Sequence, residues 1–262
     1  MKIKINMKQN ILKYLHDIET QYDVKVLYAV ESGSRAWGFH SEESDWDVRF
    51  IYVHKLNWYF KVNEGSDVIE EINDDNVDLV GWDLRKTLRL LQKSNPSLME
   101  WLNSPIIYYA DDEFLSQMKI LETRYFNPIK MMYHYESLYI KHDKRYLQNA
   151  AYPLKRFLYY LRGVLACRWL EEYATLPPVL FSDLVNTIVK EDCIYDKINN
   201  LLDLKKKSKE NDKKEVEAEL VEYAKYWADY YEQKMKDFHP EKNVITDTKD
   251  LDDIMINQLV VY

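Results

Sequence analysis

An α+β fold is the class this sequence predicts, with a small mixed β-sheet and its packed helices over residues 1–120 and an α-helical bundle over residues 121–262. Three observations carry that reading. Short runs rich in β-branched and aromatic residues, VKVLYAVE at 24–31, DWDVRFIYV at 45–53, VIEEI at 68–72 and VDLVGW at 77–82, have the composition and length of strands. From Asn127 onward the apolar residues recur instead at helical spacing. With 5 glycines and 7 prolines in 262 residues, and many Lys, Glu, Leu and Tyr, the chain favours long helices over an all-β sandwich.

Ile11, Leu12, Leu15 and Ile18 predict an amphipathic helix over residues 8–21 that covers one face of the sheet. The strand at 24–31 runs into a turn at Ser32-Gly33-Ser34, and Arg35-Ala36-Trp37 begins a short helix or loop. After the strand at 45–53, Tyr59–Val62 and Val68–Ile72 read as shorter strands joined by a Gly65-Ser66 turn. Asp83 follows the strand at 77–82 as the N-cap of a helix reaching about Lys93, which Asn95-Pro96 ends. The segment PSLMEWLNSPIIYY adds a short helix and an extended stretch before the acidic turn at Asp111-Asp112. In the second half, helices are expected over 128–147, 153–173, 180–203 and 212–236, with Pro177-Pro178 as a break.

Composition limits the function. A chain that is 47% hydrophobic and 14% aromatic can bury a sizeable core. Its net charge of −8 opposes indiscriminate binding to a polyanion and leaves room only for a local basic footprint. Cys167 and Cys193 have no CxxC spacing and read as buried thiols in a reducing compartment. No 18-residue apolar run and no apolar signal region occurs, so a soluble cytoplasmic protein without membrane contact is expected. The 6 histidines show no zinc spacing, Ser34 has no nearby histidine to activate it, and the mixed charges of residues 203–217 read as a solvated stretch.

The chemistry concentrates between Glu31 and Arg49, ESGSRAWGFHSEESDWDVR. Asp45 and Asp47 are two apart, so in a strand they point to one face while Trp46 and Val48 face the core. Two like charges held side by side repel unless a cation relieves them, and Mg²⁺ is the obvious one. In the preceding turn, Gly33 lets the backbone approach a ligand closely, and the Ser34 hydroxyl with nearby N–H groups can hold phosphate oxygens. Either half alone is ordinary, a turn or a solvated strand; together they point to a phosphate and metal site.

A Gly-Ser turn, a spacer and an Asp-x-Asp strand resemble the nucleotidyltransferase superfamily of DNA polymerase β. More narrowly, GSRAWGF followed by SDWDVRFIYV, with DLRKTLRLLQKSNPSLMEWLNSPI further on, is similar to the YcgL/RlaP-type nucleotidyltransferases, an RNA-repair-associated branch. The resemblance covers most of the chain. It implies a nucleotidyltransferase domain over 1–120, with the helical domain closing one side of a cleft. It also implies an ATP-type nucleoside triphosphate substrate, a two-ion Mg²⁺ site that Mn²⁺ can also fill, and transfer of a nucleoside monophosphate to a hydroxyl, an RNA end for choice, with release of pyrophosphate. Superfamily members add a carboxylate from a later strand, and Asp78 is the residue placed for it; Asp83, Glu70 and Glu71 are the alternatives. Asp45, Asp47 and Asp78 would then be the catalytic and metal-binding set, and Gly33, Ser34 and Arg35 the phosphate-binding turn.

In the helix expected over 153–173, Leu154, Phe157, Leu158, Leu161 and Leu165 make an apolar stripe, while Lys155, Tyr159 and Arg162 share an adjacent face. Two cations flanking an aromatic ring suit a phosphate with a stacked base, or else form a solvated face with snorkelling stems. KHDKRYL at 141–147 is a second basic cluster of the same kind. In the helical half no Arg is followed within several residues by His, so the ribonuclease-toxin pattern is absent there and no toxin domain is expected in this chain. The rival to an enzyme acting on RNA is a non-catalytic nucleotide- or RNA-binding module, or a transferase that modifies proteins.

Overall fold

The computed structural model describes residues 7–73, 76–141, 152–207, 213–236 and 247–261. Two compact units divide the chain, the first of Met1–Ala36, Asp45–Phe126 and Val244–Tyr262, the second of Trp37–Ser44 and Asn127–Asn243. The division therefore differs from a single cut near residue 120: the chain enters the second unit briefly at 37–44 and returns to the first at its C-terminal end.

The first unit begins with helix α1 (Met7–Tyr22), whose Ile11, Leu15 and Ile18 recur at spacings of four and three and are buried. Strand β1 (Val24–Glu31) follows, then a single helical turn α2 (Gly33–Ala36) and strand β2 (Trp46–His54). Residues Leu56–Phe60 form a 3-10 turn rather than the strand expected at Tyr59–Val62, because Trp58 turns back to stack on His54 with ring centroids 4.0 Å apart. Strands β3 (Val68–Ile72) and β4 (Val77–Asp83) lead into helix α3 (Leu84–Gln92), capped as expected by Asp83, whose carboxylate accepts the Arg85 N–H at 2.8 Å. Helix α4 (Pro96–Leu102), capped by Asn95, strand β5 (Ile107–Ala110) and helix α5 (Asp112–Tyr125) complete this stretch.

The sheet order is β3-β4-β2-β1-β5, and it is mixed: β2 and β4 run parallel while every other pair is antiparallel. On one face Val48, Phe50 and Tyr52 of β2 and Val77 and Leu79 of β4 pack with Ile11, Leu15 and Ile18. Alternation along β2 sends Asp47 and Arg49 to the other face.

The second unit is helical: α6 (Pro128–Tyr135), continued by a π-turn over Glu136–Lys141, then α7 (Leu154–Tyr173), α8 (Phe181–Ile188), α9 (Asp192–Lys207) and α10 (Ala218–Lys236). The one helix expected over 180–203 is two, since the backbone turns extended at Val189. A last helix of the first unit, α11 (Lys249–Val261), is additional to the helices expected from the sequence. Cys167 is buried, but Cys193 is exposed, with its thiol beside Glu219, contrary to the expectation for both. Among the described residues no helix is long and apolar enough to cross a membrane.

Candidate active site

The parallel pairing of β2 with β4 sets Asp47 directly opposite Asp78, with Trp46 opposite Val77 and Val48 opposite Leu79. Between the two carboxylates lies a guanidinium. Arg49 Nη2 is 3.1 Å from Asp47 Oδ1 and 2.9 Å from Asp78 Oδ2, and Nη1 donates to the Val48 and Asp78 carbonyls at 3.1 and 3.0 Å. Arg49 follows Asp47 by two residues on one strand, which is why it shares that face.

Gly33 underlies the same carboxylate. Its φ of +59° is a left-handed conformation that a side chain disfavours, and a Cβ there would stand 2.3 Å from Asp47 Oδ2. The turn and the strand are further tied by the Ser32 N–H, which donates to the Asp47 carbonyl at 2.8 Å. Ser34 is buried within α2. Arg35 donates from Nε to the Asp45 carbonyl at 2.9 Å and lies 3.7 Å over the Trp46 ring, so the loop fixes its cation beside the carboxylates. Burial lowers the Arg35 pKa, opposed first by the Glu31 charge.

Asp45 precedes the strand by one residue and is exposed. Asp45, Asp47 and Asp78 therefore do not stand as a ready three-carboxylate group. Among the described residues no three His, Cys, Asp or Glu side chains gather to hold a metal ion. The donor chemistry still fits one: two carboxylates in register share a cationic partner, and carboxylate oxygens are the ligands of hard divalent ions.

The alternatives for the later carboxylate lie elsewhere. Asp83 is committed to its cap and to the Tyr59 hydroxyl, which donates to it at 2.6 Å. Glu71 pairs with Leu79 and its carboxylate accepts from Tyr22 and Gln21 of α1, so it belongs to the opposite face of the sheet from Asp78. Glu70 is exposed on the edge strand, opposite Val80.

One residue the sequence reading did not assign is Glu31, the last of β1. It is fully buried and accepts the Asp47 N–H at 2.9 Å on Oε1 and the Tyr108 hydroxyl at 2.5 Å on Oε2. Burial pushes its pKa up to about 7, against the opposing pull of those hydrogen bonds. An inward position on a hydrophobic strand was the available signal.

Lys155, Tyr159 and Arg162 fall in the second unit. Arg162 is 0% exposed, lies 4.6 Å over the Trp37 ring and donates to the Pro178 carbonyl at 3.3 Å. It is a core residue rather than a member of a solvated face, because α7 is buried on nearly every side from Tyr160 to Cys167. Tyr159 is half-buried, edge-on to Trp37 at 4.7 Å, and Lys155 is half-buried a turn earlier. Of the basic cluster at 141–147, residues 142–147 lie outside the described residues.

Comparison with known proteins places these features in context. The profile of the RlaP family, described as an RNA repair pathway DNA polymerase beta family, matches residues 7–261. Uncharacterized protein YcgL from Bacillus subtilis (strain 168) is 48% identical over 206 residues, 79% of each chain. The crystal structure of a nucleotidyltransferase-like protein from Exiguobacterium sibiricum 255-15 aligns over 98% of this chain and 90% of its own at 13% identity, with a TM-score of 0.34, a likeness too loose to carry an argument.

Proposed function

We propose, since the chain belongs to the RNA repair pathway DNA polymerase beta family, RlaP, that it is a nucleotidyltransferase moving a nucleoside monophosphate from a triphosphate such as ATP to a hydroxyl at an RNA end. Family membership supports nucleotidyl transfer in general. The observation that supports this site for it is the register of Asp47 opposite Asp78, with Asp47 seated on Gly33.

In this reading Asp47 and Asp78, joined by Asp45 from the residue before the strand, would hold Mg²⁺ or Mn²⁺, singly or as a pair. Bound there, the metal would supply charge stabilisation to the phosphate oxygens. The chain's own groups orient and exchange protons. Gly33 and Ser34 let backbone come close to the outer phosphates, and Arg35 adds a fixed positive charge. Asp78 accepts the proton of the acceptor hydroxyl as that oxygen attacks the α-phosphorus; the bond to the bridging oxygen breaks and pyrophosphate leaves. The protein contributes positioning and electrostatics rather than a covalent intermediate. An RNA acceptor is favoured by the pathway named in the family description, and the net charge of −8 limits it to a short footprint with a shallow salt dependence.

The test is to incubate the protein with Mg²⁺ and each α-labelled triphosphate, adding short RNAs of defined ends in one arm and cell-lysate proteins in the other. Label should reach RNA from the α position and not from the γ position. Label on protein and never on RNA would make the chain a protein-modifying transferase; none on either would favour a binding module.

A further inference from the structure

We propose that Arg49 is the counter-ion of the unloaded site, holding Asp47 and Asp78 until a divalent cation and a triphosphate arrive together, so that tight metal binding depends on nucleotide. This rests on the nucleotidyl-transfer reading above.

Two in-register carboxylates on neighbouring strands repel each other without a cation. Arg49 supplies one from the same strand face. Its Nη2 binds both carboxylates, at 3.1 and 2.9 Å, while Nη1 is anchored on the Val48 and Asp78 carbonyls. The Arg49 side chain is only 17% exposed, so these bonds are partly shielded from water.

A divalent ion that takes Asp47 Oδ1 and Asp78 Oδ2 competes for the atoms Arg49 Nη2 already holds. Displacing that nitrogen breaks charge-assisted hydrogen bonds and leaves a guanidinium beside a dication. A triphosphate changes the balance, because its oxygens offer Arg49 new anionic partners on the same face. Metal and nucleotide thus favour one another through a single side chain, and the coupling is reciprocal. No bond to Arg49 forms or breaks covalently.

Isothermal titration of the full chain with Mn²⁺, with and without a non-hydrolysable triphosphate, tests this in wild type, Arg49→Gln and Arg49→Lys. Thermal melts confirm that each is folded. Arg49→Gln should bind Mn²⁺ alone about tenfold more tightly than wild type and gain much less from the triphosphate. Arg49→Lys keeps the charge without the fork and should fall between them; if Arg49→Gln does not fold, a several-fold gain in Arg49→Lys decides the matter. Wild type that binds Mn²⁺ with the triphosphate, alongside folded variants that bind Mn²⁺ alone no more tightly than it does, overturns the role of Arg49 and leaves the transferase reading standing. No Mn²⁺ binding to any of the three proteins under either condition overturns the metal site itself, and this inference with it.

Discussion

The Asp47 carboxylate lies against the backbone of Gly33, with Oδ2 2.3 Å from the point where a Cβ on that glycine would stand. The turn and the acidic strand are thus one piece, and a methyl group at Gly33 must displace the carboxylate. Gly33→Ala should therefore cost little stability, about 1–2 kcal/mol for the left-handed backbone, while lowering kcat/KM for nucleotidyl transfer by about a hundredfold. Steady-state kinetics beside a thermal melt separate the two effects. A fully active, well-folded Gly33→Ala protein would mean that the seat of Asp47 is irrelevant to the chemistry.

Asp78 stands in register with Asp47 whereas Asp83 caps α3, so substitutions at the two should separate. Asp78→Asn is expected to leave the melting temperature nearly unchanged and reduce kcat/KM by about a thousandfold or more. Asp83→Ala, by removing the α3 cap and the partner of the Tyr59 hydroxyl, should instead destabilise by about 1–3 kcal/mol with kcat retained. The reverse pattern would exchange their assignments.

Arg162 predicts a stability phenotype. With its guanidinium buried against Trp37 and bonded to the Pro178 carbonyl, Arg162→Ala should destabilise by roughly 2–4 kcal/mol. Lys155→Ala, on the half-buried start of the same helix, should stay within about 1 kcal/mol of wild type. Denaturant titrations followed by circular dichroism measure both. An Arg162→Ala protein as stable as wild type would return that side chain to the list of ligand contacts.

His54 gives the fold a pH dependence. It is 8% exposed, stacked on Trp58, and its Nε2 has no hydrogen-bond partner among the described residues. Burial lowers its pKa to about 4 from the ordinary 6.5. Above pH 6.5 both native and unfolded chains hold it neutral, so it adds no slope. As pH falls from 6.5 to 4 the unfolded chain takes up a proton that the native state refuses, and stability declines, by at most about 3 kcal/mol. His54→Phe keeps the stacking and removes the titration. The wild-type loss between pH 7 and 4.5 should exceed that of the variant; parallel curves would show that His54 is protonated as readily when folded.

The strands were legible because each is a local pattern of β-branched and aromatic residues, and the Gly33-Ser34 turn and Asp45-Trp46-Asp47 stood out for the same reason. The pairing of Asp47 with Asp78 was less so, since a parallel register joins strands with no turn chemistry to fix it. Arg49 carries a legible signal, since alternation from Asp47 places it on the acidic face. Tyr59–Val62 misled because a short apolar run fits a strand or a turn, and the Trp58 stack on His54 decided between them. Lys155, Tyr159 and Arg162 do share helical spacing, but spacing tells which residues share a face and not whether that face meets solvent; in α7 most faces are buried.

The most direct measurement is transfer of label from an α-labelled triphosphate to a short RNA, made side by side with wild type, Asp47→Asn and Asp78→Asn at matched fold content by circular dichroism. The account predicts labelled RNA with the wild type in the presence of Mg²⁺, no label from the γ position, and loss of nearly all transfer in both variants. Equal labelling by all three proteins, or labelling only from the γ position, would contradict it.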